Sequence, residues 1–151
     1  MLSVFCASAQ KAMINEWSQG HGGQSEWVEI LVLEDSLDLR GWSIWDEAPG
    51  SRFIQLRNVP QFAALPKGAL LVFYNAKSTT VKAQDRPADQ NQAPKVGSCD
   101  LGTQEPPVMA SDNAALFNAT WDDSNAFGDG NAKDSPILKD SKSNVIHDWD
   151  N

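Results

Sequence analysis

Short segments of alternating or continuous hydrophobic residues run along this chain and predict β-strands. Residues 12–17 alternate in polarity, as a half-buried strand does. Residues 27–33 and 69–74 are almost entirely apolar, which predicts central strands covered on both faces. Residues 42–46 predict a further strand, and the cleanly alternating residues 52–57 predict an exposed-edge or half-buried strand.

Polar segments rich in Gly, Pro, Asp and Asn separate these strands and predict turns. One helical turn is expected at 61–64, and residues 136–150 predict a closing hairpin around a turn at 141–144. Residues 111–121 fit either a short helix or a strand. The sum is six to eight short strands with almost no helix, which indicates a β-sandwich or a barrel.

The composition changes between residues 75 and 107, where Gln, Asp, Lys, Pro and Ser replace most apolar residues. This stretch predicts one long loop excursion or a flexible insertion.

The length and charge of the chain limit the classes of protein and function to which it can belong. The 151 residues suit one domain, and 41% of them are hydrophobic, as in soluble globular domains. The formal net charge of −8, with only 12 Lys and Arg, makes nucleic-acid binding an unfavoured function because phosphate contacts need clustered cations. No apolar run approaches the ~20 residues of a transmembrane segment.

The first residues resemble the end of a secretory signal peptide. An apolar run from Leu2 to Cys6 precedes the small residues Ala7 to Ala9. We therefore expect residues 1–11 to be a signal-peptide remnant or a disordered terminus, with a first strand as the alternative. The domain is expected to span 12–151, in an exported protein that is periplasmic or extracellular.

Few residues offer catalytic chemistry. A disulfide between Cys6 and Cys99 is possible only if the N-terminus is retained; otherwise Cys99 is a lone structural cysteine. His21 lies in a Gly-rich loop, and His147 is expected to be a surface residue of the last strand. No nucleophile elbow, P-loop or dinucleotide fingerprint occurs. The sequence therefore predicts no enzyme and no cofactor other than a possible calcium ion.

That calcium ion would bind a loop after Trp121 that supplies several hard oxygen donors, the ligands that Ca²⁺ prefers. The spacing does not match an EF-hand, and a solvated polar loop is the alternative. The candidate ligands are Asp122, Asp123, Asn125, Asp129, Asn131 and Asp134.

Several spaced motifs together resemble the lamin-tail domain family. They are MINEW, EWVEI, DLRGWSIWDE, LPKGALLVFY and the terminal SPILKDSKSNVIHDW. The chain departs from the family in the apolar continuation after Glu29 and in its longer excursion. The resemblance implies an immunoglobulin-like β-sandwich. Members in nuclear lamins contact chromatin and proteins, and bacterial secreted members resemble accessory modules with a tethering role. The family has no catalytic residues, so the resemblance implies none in this chain.

The motif residues suggest a structural frame. Trp27 and Trp42 are expected to pack between sheets, and Gly41 to occupy a positive-φ position or a close approach. Asp38 is expected to accept hydrogen bonds from turn amides. Glu29 either faces solvent or bonds to backbone amides of a neighbouring loop.

Three functions follow as hypotheses. The first is a non-enzymatic binding or anchoring module that contacts a protein or cell-surface partner, with strand addition at a sheet edge as one mode. The second is an accessory domain of a secreted hydrolase or nuclease whose catalytic domain is absent from these residues. The third is a calcium-dependent glycan-binding module.

Overall fold

The computed structural model describes residues 10–19, 26–47, 52–75, 108–110, 113–119, 121, 127 and 135–150. These residues form nine strands in two packed sheets, which confirms the predicted all-β sandwich. The strands are β1 Ala12–Ser18, β2 Trp27–Val32, β3 Ser43–Asp46, β4 Arg52–Leu56, β5 Leu70–Tyr74, β6 Val108–Ala110, β7 Phe117–Ala119, β8 Pro136–Lys139 and β9 Val145–Asp148. The described strands outnumber the six to eight expected because β6 and β7, at three residues each, are too short for a periodic signal.

One sheet has the order β1-β2-β5-β6 and the other β7-β4-β3-β8-β9. Neighbouring strands are antiparallel except β5 and β6, which are parallel. A parallel pair needs a long crossover connection, and the excursion predicted at 75–107 spans that connection. Apart from Asn75, its residues lie outside the described part of the chain.

Several predicted elements are confirmed. The apolar segments form β2 and β5, each flanked by a strand on both sides. The terminal hairpin is β8 and β9, and the helical turn is a 3-10 helix at Pro60–Phe62. Within the undecided segment 111–121, a turn at 114–116 leads into strand β7.

Of the two alternatives for the strand at 52–57, exposed-edge and half-buried, the exposed-edge one is wrong. Strand β4 lies between β3 and β7, and both Phe53 and Ile54 are buried. The alternation gave no sign that β7, distant in sequence, would cover that edge.

The core lies between the sheets and includes aromatic side chains from both of them. Val28 and Ile30 of β2 belong to this core together with Ile44 and Ile54 of the opposite sheet. At the end where β1 stops and β2 starts, four aromatic side chains form an aromatic cluster. Its members are Trp17, Phe53, Trp121 and Phe127, with ring centroids 4.6–5.7 Å apart in contacting pairs.

The two tryptophans predicted to pack between the sheets differ. Trp42 is buried in the core, as expected. Trp27 is half-buried and is not part of the core cluster. It alternates with Val28 along β2, and successive side chains of a strand point to opposite faces. Since Val28 occupies the core, Trp27 lies on the outer face of its sheet.

Gly41 has φ of +79°, which confirms the expectation of a positive φ, and a Cβ added at this position would lie 3.2 Å from Ser141 Cβ. We expect Gly41→Ala to lower the free energy of unfolding by about 1–2 kcal/mol, because a side chain is disfavoured in left-handed backbone. Urea unfolding measures the loss. In the double variant with Ser141→Gly, the facing Cβ is absent, and part of the lost stability should return. A Gly41→Ala variant as stable as the parent would contradict a positive φ at this position.

Candidate binding groove

A groove of about 1010 Å³ opens between the start of β1, the β2–β3 connection and the β8–β9 hairpin. The apolar lining residues are Leu37, Trp42, Val145 and Ile146, and the other lining residues are polar or charged. The charged lining residues are Lys11, Glu34, Asp38, Asp140, Lys142 and Asp148. Three distant stretches of chain thus meet at one concave surface.

The groove lies beside the place where the edges of the two sheets meet. Strands β1 and β9 are the end strands of their separate sheets. Side chains bridge them: Gln10 Nε2 donates to the carbonyl of Ile146 at 3.4 Å, and the Ile14 N–H donates to His147 Nδ1 at 3.3 Å. These bonds use the Ile14 N–H and the Ile146 carbonyl, so the edges of the two sheets are joined across this seam.

Acidic side chains outnumber basic ones in the groove lining. Glu34 pairs with Lys11 across 3.9 Å, and both side chains are about half exposed. Asp38 forms an ion pair with the Arg40 side chain, and Lys142 is the second lysine of the lining. The groove is therefore net negative, as is the chain as a whole.

Local hydrogen bonds keep two of these carboxylates charged. Hydrogen bonds from the Arg40 side chain and backbone lower the pKa of Asp38, and the backbone contact confirms that Asp38 accepts a turn amide. Burial opposes the ionisation of Asp140, but hydrogen bonds from Asn144 and from the Lys142 amide outweigh it and lower its pKa. Both groups carry negative charge at neutral pH.

His147, expected at the surface of the last strand, is half-buried and lines the wall of the groove. Burial lowers its pKa, and the nearby charge of Asp148 partly opposes that shift. The imidazole is therefore neutral at pH 7, and its Nδ1 accepts a backbone N–H. Sequence alternation could not reveal this contact, because it joins β9 to β1 across 133 positions.

Glu29, one of the motif residues, is buried on β2. Its Oε1 accepts a hydrogen bond from Asn15 Nδ2 at 2.6 Å, across the β1–β2 pair. The solvent-facing alternative for Glu29 is therefore wrong, and this partner is a side chain of the neighbouring strand. A bulge in β1 between Ile14 and Glu16 sets Asn15 at this position.

The six predicted calcium ligands, Asp122, Asp123, Asn125, Asp129, Asn131 and Asp134, all lie outside the described residues. So do Cys6, Cys99 and His21. Among the residues that the structure does describe, no group of three or more His, Cys, Asp or Glu side chains is arranged to hold a metal ion.

No protein-family model matches this chain, and no curated protein matches it. The likeness to the lamin-tail family therefore rests on the motif residues. Within the described ranges, no helix has the length and apolar character needed to cross a membrane.

Proposed function

We propose that the protein is a non-enzymatic binding or anchoring module of an exported protein that holds a protein or cell-surface partner in the acidic groove. The observation that carries this proposal is the groove itself, a concave, net-negative surface beside two sheet edges. The lamin-tail resemblance supports a module of this kind, since that family contributes no catalytic residues.

The charge of the groove selects a basic partner. A concave surface lined by one sign of charge concentrates ligands of the opposite sign and speeds their encounter. Glu34 and Asp148 line it together with Asp38 and Asp140, which are held ionised at neutral pH. A segment that carries Lys or Arg matches these groups.

The position of the groove favours an extended partner. An extended peptide binds a sheet edge through main-chain hydrogen bonds and uses alternate side chains for specificity. Strands β1 and β9 are the end strands of their sheets beside the groove, which would receive side chains on one face of the bound strand. The accessory-domain alternative uses the same surface and differs in placing a catalytic domain elsewhere on the natural protein.

One observation favours glycan binding as a second candidate. Trp149 is 41% exposed, and its ring contacts Trp17 at 6.4 Å. An exposed indole supported by another ring can stack on a sugar. The calcium-dependent form of this candidate needs the acidic loop at 122–134, which lies outside the described residues.

A charge-matched peptide pair tests the groove. We expect a labelled peptide of alternating Lys and Val to bind, and the Glu and Val counterpart to bind far more weakly, in fluorescence anisotropy at low salt. The double variant Glu34→Gln/Asp148→Asn should weaken the Lys peptide about three- to tenfold, since each exposed charge pair contributes roughly 0.2–1 kcal/mol.

The matched control is Glu16→Gln, which removes an exposed carboxylate of β1 that does not line the groove. It should leave the affinity unchanged at equal salt. If the control and the groove variant lost the same affinity, the peptide would be attracted non-specifically to an acidic protein. That result would contradict the groove as the binding site. Raising the salt should weaken binding, because it screens exposed charges.

A further inference from the structure

Two buried carboxyl groups face the space between the sheets at the end of the sandwich where β2 begins. Glu26 lies two residues before Val28, and Asp46 lies two residues after Ile44; both Val28 and Ile44 belong to the core. Side chains two residues apart in an extended chain point to the same face, so Glu26 and Asp46 enter the interior from opposite sheets. Glu26 is 0% exposed and Asp46 is 2% exposed. The charge of Asp46 lies close enough to act on the Glu26 carboxyl group.

The hydrogen-bond partners of Glu26 favour its ionised form. Its Oε2 accepts hydrogen bonds from Asn75 Nδ2 at 2.9 Å and from Trp121 Nε1 at 2.8 Å. The Phe127 backbone amide also donates to the carboxyl group. Donated hydrogen bonds stabilise a carboxylate relative to the neutral acid. A neutral acid would need an acceptor for its proton, and these three N–H groups supply none.

The other oxygen of the same carboxylate, Oε1, is fully buried and has no hydrogen-bond partner among the described residues. A carboxylate shares its charge between both oxygens, so part of the charge lies at Oε1. Asn75, Trp121 and Phe127 donate hydrogen bonds but bring no positive charge. Burial raises the pKa of Glu26 to about 7 in spite of these bonds, and the charge of Asp46 adds to the rise. Since buried charges in proteins are paired or coordinate metal ions, this carboxylate calls for a cation.

We propose that Glu26 Oε1 and the Asp46 carboxylate bind a calcium ion between the two sheets. Two carboxylates match the charge of a divalent cation, and calcium takes hard oxygen ligands of this kind. Magnesium keeps several bound waters in an octahedral shell, which a site without exposed surface accommodates poorly. Calcium takes about six to eight oxygens, so neighbouring main-chain carbonyls, with little water, would complete its shell.

The ion would join the two sheets beside the aromatic cluster. Glu26 continues β2 of the first sheet, since its carbonyl accepts the Asn75 N–H at 3.0 Å after β5, whereas Asp46 ends β3 of the second sheet. Trp121, which donates to Glu26, is stacked on Phe53 of β4 with ring centroids 5.3 Å apart. Neither carboxylate lines the groove, so the site is independent of the proposed function. Its ligands also differ from those expected in the loop at 122–134.

Thermal unfolding in EDTA and in calcium chloride tests the site. An ion that binds only the folded state stabilises that state by mass action. At a calcium concentration about a hundred times Kd, we expect Tm to rise by roughly 5–10 °C. Magnesium at the same concentration should raise Tm less. Glu26→Gln and Asp46→Asn should each abolish the rise, because each removes a ligand, whereas Glu16→Gln, an exposed carboxylate of β1, should keep it.

Terbium(III) luminescence locates the ion without depending on stability. Terbium takes the same oxygen ligands as calcium and emits when a nearby indole transfers energy to it. Trp121 lies beside the site, since its Nε1 is 2.8 Å from Glu26 Oε2. We expect emission in the parent that calcium displaces and that falls strongly in Trp121→Phe. The matched control is Trp149→Phe, which removes an exposed indole and should keep the emission.

Three outcomes would overturn the proposal. If calcium left the Tm of the parent unchanged, Oε1 would be satisfied by water only. If the rise persisted in Glu26→Gln and Asp46→Asn, the ion would bind elsewhere on the chain, and a purely structural Glu26 would lower Tm equally with and without calcium. If neither variant folds, the terbium measurement decides, because emission that is unchanged in Trp121→Phe would place the ion away from Glu26.

Discussion

Replacing Phe53 by alanine is expected to lower the free energy of unfolding by about 3–5 kcal/mol, the usual loss for a fully buried aromatic residue. Phe53 is 0% exposed, and its ring lies 5.3 Å from Trp121 and 4.6 Å from Phe127. Truncation leaves a cavity between the two sheets and removes two ring contacts. Urea unfolding followed by far-UV circular dichroism measures the loss.

Two control variants separate cavity formation from general sensitivity. Phe53→Leu keeps most of the volume and should lose less than half as much stability. Val145→Ala shortens a side chain that is 56% exposed and should change stability by less than about 0.5 kcal/mol. If Phe53→Ala lost no more than Val145→Ala, the aromatic cluster would not be the packed centre of this end of the sandwich. Near-UV circular dichroism should also weaken in Phe53→Ala, because Trp121 loses its stacking partner.

Replacing Asn15 by aspartate is expected to lower the free energy of unfolding by about 3 kcal/mol at pH 7, because it sets a second carboxylate against a buried carboxyl group. Asn15 Nδ2 donates to Glu29 Oε1 at 2.6 Å, and Glu29 is only 2% exposed. The substitution preserves shape but turns the donor into a second carboxylate. Urea unfolding at pH 7 and pH 4 measures the effect, which should shrink at pH 4 as protonation relieves the repulsion.

Asn118→Asp is the matched control, since it makes the same chemical change at an exposed position of β7. It should alter stability by less than about 0.5 kcal/mol at either pH. Asn15→Ala removes the donor without adding charge, so its free energy of unfolding should lie between those of Asn15→Asp and Asn118→Asp. An Asn15→Asp variant as stable as the parent at pH 7 would contradict the close pairing of Asn15 with Glu29.

Much of the fold was predictable because it depends on residues that lie close together in the sequence. The continuous apolar residues of β2 and β5 required cover on both faces, and the turn chemistry at 141–144 set the terminal hairpin. The positive φ of Gly41 and the turn amide at Asp38 are equally local. Each of these features depends on neighbours within a few residues, which is the range over which sequence patterns indicate structure.

The candidate sites were not predictable, because their partners are far apart in sequence. Glu26 falls in a Gly-rich polar stretch that is typical of a loop, yet its partners Asn75 and Trp121 are 49 and 95 positions away. The wall of the groove joins residues near 10, 34 and 145. Composition indicated an acidic protein but could not show where its acidic side chains converge.

The sequence by itself determined the class of this protein: alternating and continuous apolar segments separated by turn residues can bury their apolar faces only as packed β-sheets. Only the tertiary structure decided which strands became edges, that β4 is covered by β7, and that Trp27 lies outside the core. It also decided that Glu26 is buried beside Asp46 while Glu34 remains exposed at the groove. The physical reason is that the environment of a carboxylate, and so its charge and chemistry, depends on which distant segments exclude water around it.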